Sequence, residues 1–154
     1  MGHVRRRTPV LQANSWTHRN HDKGVSGFVR SVDTMTNSTI TQQFFDSYTR
    51  ALLDRDAKAI AEHYAVPALI EFPEHPIAVS SASQTEQFFA GAFSQYEGVT
   101  TTHAAVKVVA STGHSIWVDV TWTHSPSRQE ERFLYQLVRD SESWKIAVLT
   151  PLDT

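Results

Sequence analysis

The chain contains no cysteine, which excludes a disulfide framework, a thiolate zinc centre and a Cys nucleophile. No apolar run approaches the roughly 18 residues that a membrane helix needs, and the continuous apolar core of a secretory signal is missing. No HExxH, EF-hand loop, P-loop or GxGxxG occurs, so no metal, nucleotide or other cofactor is expected. Charge is sparse as well. Asp, Glu, Lys and Arg make up 19% of the 154 residues and hydrophobic residues 40%, the balance of one soluble globular domain with enough chain to bury a core. These absences point to a cytoplasmic protein that binds neither membrane nor nucleic acid.

What charge there is falls unevenly. Residues 1–34 carry six Lys/Arg against two acids, while the remainder carries eight against fourteen, so a basic arm precedes an acidic domain. The arm has no apolar period, no aromatic interleaving and no base-reading motif, and it reads as a disordered extension over residues 1–37. Met35 stands just before the first helix signal and is a candidate alternative start. The domain proper is expected over residues 38–154.

Thr39-Ile40-Thr41-Gln42 fits a capping box, and Phe44, Phe45, Tyr48, Ala51 and Leu52 then form one apolar stripe of an amphipathic helix. Asp56 can cap a second helix with Ala57, Ile60, Ala61 and Tyr64 on its buried side, and Pro67 ends it. Residues 68–72 read as a strand. Residues 77–79 read as a short edge strand crowded by prolines. Ser83-Gln84-Thr85-Glu86 reads as a further box, opening a third helix striped by Phe88, Phe89, Ala92, Phe93 and Tyr96 and closed at Gly98. β-rich runs follow at 101–110, 115–124, 132–139 and 144–149, separated by turn residues at antiparallel hairpin spacing. Helices first and a meander last imply an α+β domain with helices on one face of the sheet. Both parities of the last two runs are apolar, Phe133/Tyr135/Leu137 opposite Leu134/Val138 and Ile146/Val148 opposite Ala147/Leu149, so both sheet faces should be covered.

The segment 48–73, YTRALLDRDAKAIAEHYAVPALIEFP, and the element order around it resemble the nuclear transport factor 2-like superfamily, which includes SnoaL-like and ketosteroid-isomerase-like proteins. The resemblance covers nearly all of residues 39–152. It implies a cone-shaped, curled antiparallel sheet with three N-terminal helices closing a pocket, and a homodimer through the outer sheet face. Tyr48 matches the helix-borne tyrosine of the ketosteroid isomerases, and Tyr135 falls near their second oxyanion acid. The position of their general base, just before Pro73, is occupied by Phe72. The resemblance therefore implies two hydroxyl donors without that base, able to hold an oxygen but not to abstract a proton.

Asp119 is the acid inside the strand 116–123, and it becomes a candidate general base if Trp117, Asp119, Thr121 and Thr123 face the cavity. It is structural if Ile116, Val118, Val120 and Trp122 do. His103, His114 and His124 lie on strands or at their ends and are weaker acid–base candidates. The expected function is binding of a small hydrophobic, ring-bearing molecule in an apolar pocket through Tyr48, Phe72 and Tyr135. The rival readings are a cofactor-free isomerase, cyclase or dehydratase using Asp119 with Tyr48 or Tyr135, and a non-catalytic dimerisation module.

Overall fold

A computed structural model describes residues 36–153. Helices α1 (Asn37–Leu53) and α2 (Ala57–Glu62) lead into β1 (Tyr64–Phe72) and β2 (His75–Val79). Helix α3 (Ala82–Ala92) and a 3-10 turn (Phe93–Tyr96) come next, followed by β3 (Thr101–Ser111), β4 (Ser115–Ser125), β5 (Gln129–Asp140) and β6 (Ser143–Leu152). The strands form one six-stranded sheet in the order β2-β1-β6-β5-β4-β3. Pairing is antiparallel except between β1 and β6, which run parallel. Three helices ahead of a mostly antiparallel sheet is the α+β cone expected above, with β2 at an edge.

The helix starts differ in detail from the sequence signals. Helix α1 is capped by Thr36, whose hydroxyl accepts from the Thr39 backbone N–H at 3.2 Å, while Gln42 turns to Asp46. The expected disordered arm lies outside the described residues as far as residue 35, but Thr36 and Asn37 belong to the folded helix. In α3 the box is shifted to Ser81 and Gln84, with the Gln84 amide oxygen accepting from the backbone N–H groups of Ser80 and Ser81. Asp56 caps α2 as expected, accepting from the Ala59 N–H at 3.1 Å. That helix ends early, at Glu62, and Tyr64 opens β1 instead of extending the helical stripe.

The core sits between the helices and one face of the sheet. Along β4 residues Ile116, Val118, Val120 and Trp122 are buried while Trp117, Asp119, Thr121 and Thr123 are only partly so, which fixes the inner face by alternation. Phe45 and Tyr48 on α1 pack against Trp122 and Tyr135 from this face. Irregular pairing between β5 and β6 puts Ile146 and Leu149 on the same, buried side, three residues apart. The expected strict alternation of Ile146 with Val148 is therefore wrong, and Val148 pairs with Gln136 on the outer face.

His63, which the sequence suggests lies on a solvated helix face, is half-buried at the end of α2. Its Nδ1 meets the Ala59 carbonyl at 2.7 Å, its Nε2 meets Ser47 Oγ at 3.0 Å, and its ring meets Phe44 edge-on. Burial, with a lesser contribution from the Lys145 charge, lowers its pKa below the ordinary 6.5. Between that lowered value and the ordinary one the unfolded chain binds more protons than the native one, so stability should fall as pH drops through this window. Melting temperatures from pH 7.5 down to 5 should show a shallower acid slope in His63→Gln than in the wild type.

Candidate functional site

Between α1, the α3 segment and the inner sheet face lies a cavity of about 90 Å³. Its wall is mostly aromatic and apolar, with Phe72, Phe89, Phe93, Trp122, Phe133 and Leu52 among the contributors. Alternation along β1 turns Ala68, Ile70 and Phe72 inward while Leu69 and Glu71 stay exposed. The Phe72 ring stacks on Phe88 at 5.6 Å and meets Phe133 edge-on at 6.0 Å. Phe88, Phe89 and Phe93 are half-buried and only Thr85 of α3 is fully so, which leaves α3 as a partly wetted rim over the cavity.

Two hydroxyl systems line the inner end. Tyr48 and Tyr64 share one hydrogen bond, O···O 2.7 Å, and the Trp122 indole N–H donates to the Tyr135 hydroxyl at 3.0 Å. Burial first, and neighbouring phenols second, push Tyr48, Tyr64 and Tyr135 well above the usual range, so all three hydroxyls keep their protons at neutral pH. One bond between Tyr48 and Tyr64 uses one of their two hydrogens. The Tyr135 hydrogen finds no acceptor among the described residues. The Tyr135 hydrogen is therefore unspent at the cavity wall, while the hydrogen left over from the other bond sits on whichever of Tyr48 and Tyr64 accepts, and of these only Tyr48 lines the cavity.

A polar cluster occupies another part of the wall. Thr102 Oγ1 meets His124 Nδ1 at 2.7 Å, His124 Nε2 meets Glu131 Oε2 at 3.0 Å, and the Tyr96 hydroxyl donates to Glu131 at 3.1 Å. All four side chains line the cavity. Burial, then the Glu131 charge, raises the Tyr96 pKa. Strand β5 begins at Gln129, three residues ahead of the run read from sequence, and it pairs Glu131 with Trp122 and Gln129 with His124. This register sets Glu131 diagonally beside His124 on the inner face. Glu131 is the residue the sequence reading missed. Counting back by twos from Tyr135 and Phe133 would have found it, because that parity carries the inner face.

The other candidates are placed as follows. Tyr48, Phe72 and Tyr135 come together on the cavity wall. Asp119 does not join them. It lies on the outer face, where Arg132 Nε and Nη2 bind its two oxygens at 3.0 and 2.5 Å, and this hydrogen-bonded pairing lowers its pKa. The apolar residues of β4 claim the inner face, so Asp119 is not available as a base for anything held in the cavity. His103 and His114 are exposed, while His124 is buried on the inner face. The carboxylate the cavity does hold comes from β5, remote in sequence from the Phe72 position and already accepting two hydrogen bonds. Among the described residues, no group of three or more His, Cys, Asp or Glu is arranged for a metal ion, and no helix is long and apolar enough to cross a membrane.

Residues 37–154 match a family described as NTF2-like protein (DUF6841). No curated protein matches the sequence. Among solved structures, a domain with a cystatin-like fold from Nostoc punctiforme PCC 73102 shares 15% identity at a TM-score of 0.63, over 78% of this chain and 80% of that one. Aln2 from a Streptomyces species aligns at 12% identity and a TM-score of 0.59, over 74% of this chain and 88% of its own. A protein from Novosphingobium aromaticivorans DSM 12444, provisionally named a scytalone dehydratase, aligns at 12% identity and a TM-score of 0.56, over 74% and 83%. At these identities the likeness shows the fold alone.

Proposed function

The chain belongs to the NTF2-like protein (DUF6841) family, and we propose that its cavity binds a small ring-bearing hydrophobic molecule that offers an oxygen to Tyr48 and Tyr135. The observation that carries this reading is the unspent Tyr135 hydroxyl hydrogen inside an aromatic wall. Stacking and edge contacts with Phe72 and its neighbours suit a flat ring, and the apolar lining with a few placed polar groups is that of a ligand site. At about 90 Å³ the cavity must widen at its half-buried α3 rim to admit one. Native mass spectrometry of the purified protein should show a small molecule retained at gentle activation and released on denaturation. Protein of unmodified mass under every gentle condition, combined with no affinity for phenols or aryl ketones, would count against the reading.

The same reading includes a homodimer through the outer sheet face. Trp117, Leu134, Val138 and Val148 lie on that face, each only partly covered among the described residues. Light scattering should give twice the chain mass at micromolar concentration. Leu134→Asp should shift the protein to monomer with its fold retained. A wild-type monomer would remove this part of the proposal.

A further inference from the structure

The cluster formed by Thr102, His124, Glu131 and Tyr96 has its own donor and acceptor balance, and it is opposite to that of the tyrosine end. His124 Nε2 donates to the Glu131 carboxylate, and His124 Nδ1 and the Thr102 hydroxyl engage each other. Tyr96 donates its hydroxyl to the same carboxylate. The hydrogens that face Glu131 are then spent on its carboxylate. What remains toward the cavity is acceptor capacity, because a carboxylate offers about four lone-pair sites and two neighbours engage it. The tyrosine end has the reverse surplus, the Tyr135 hydrogen without an acceptor among the described residues.

Burying a His–Glu pair beside aromatic rings is costly, and groups so placed are more common at functional sites than in plain cores. The Glu131 side chain keeps 27% of its surface exposed, enough for a ligand to reach it. The wall around the cluster is largely aromatic and apolar, so a neutral hydroxyl reaches Glu131 at a smaller desolvation cost than an ammonium group would.

We propose that Glu131, held by His124 and Tyr96, is a receptor for a hydroxyl group, so that the cavity selects hydroxyaryl carbonyl compounds, with the carbonyl on Tyr48 or Tyr135 and the hydroxyl on Glu131. This rests on the ligand-binding reading above and adds the ligand's second polar end. NMR titration with acetophenone, 4-methoxyacetophenone and 4-hydroxyacetophenone tests it. The hydroxy compound should bind about tenfold more tightly than the other two, the effect of one hydrogen bond to a charged acceptor. In Glu131→Gln that preference should shrink to about twofold. Intermolecular NOEs in the wild type give a readout independent of any variant's folding, and they should place the ring protons beside the hydroxyl near Tyr96 and His124. Equal binding of all three ketones would overturn the hydroxyl receptor and leave the cavity reading standing. A full preference retained in Glu131→Gln, or the opposite ring orientation, would overturn it as well. No binding of any of the three at millimolar concentration would sink both readings together.

Discussion

Phe72→Asp is expected to destabilise the domain by about 2–3 kcal/mol, roughly 10 °C in melting temperature for a domain of this size. The change removes the stack on Phe88 and the edge contact with Phe133, and it places a carboxyl where the wall is largely apolar. Desolvation would raise the pKa of that carboxyl above its unfolded value of about 3.9. The native state then binds the proton more tightly than the unfolded state does. The ionisation part of the penalty is therefore absent well below pH 4, where the loss of the ring contacts remains, and grows as pH rises from there through the raised folded value. Thermal melts of the variant and the wild type at pH 3.5, 5 and 7 should diverge with increasing pH. A variant as stable as the wild type at pH 7 would mean that Phe72 does not face the cavity.

Phe45→Ala should be at least as damaging, at about 3–5 kcal/mol. Phe45 is fully buried, and its ring lies 5.2 Å from Phe44, 6.1 Å from Tyr48 and Trp122, and 5.0 Å from Tyr135. Truncation opens a void beneath both hydroxyl systems, so loss of stability should come with loss of ligand affinity. Phe45→Leu fills much of that void and should cost less than half as much. Urea unfolding of the two variants measures the difference. Similar midpoints for Phe45→Ala and wild type would contradict the assignment of Phe45 to the centre of the core.

The architecture was legible because its signals are local and periodic. The stripe of α1, the Asp56 cap, the edge position of β2 and the four-strand meander all follow from spacing and turn residues. Cap positions shifted by two or three residues at Thr36 and Ser81, since several Ser and Thr residues crowd both starts and only the folded backbone chooses among them. The site was half legible. Tyr48, Phe72 and Tyr135 could be placed by resemblance, and the face of Asp119 was decided by the apolar parity of its own strand. The polar cluster was not visible, because it depends on the register of one hairpin. Strand β5 starts at Gln129, in the polar stretch ahead of the run 132–139 that the sequence reads as strand, and His124 acquires its partner only when Gln129 pairs opposite it. The kink that buries both Ile146 and Leu149 was invisible for a related reason, as irregular pairing breaks the period on which parity arguments rest.

The cavity walled by α1, Phe72 and the inner face of β4 and β5 is expected to receive an aromatic ligand. The indole N–H of Trp122 reports on it directly, since that group donates to the Tyr135 hydroxyl inside the cavity while Trp117 sits on the other face of the same strand. In ¹⁵N-resolved NMR spectra, titration with 2-naphthol should move the Trp122 indole signal in a saturable way, with the Trp117 signal unmoved. A saturable shift at Trp117 alone, or a Trp122 signal that stays in place at the limit of naphthol solubility, would contradict the claim.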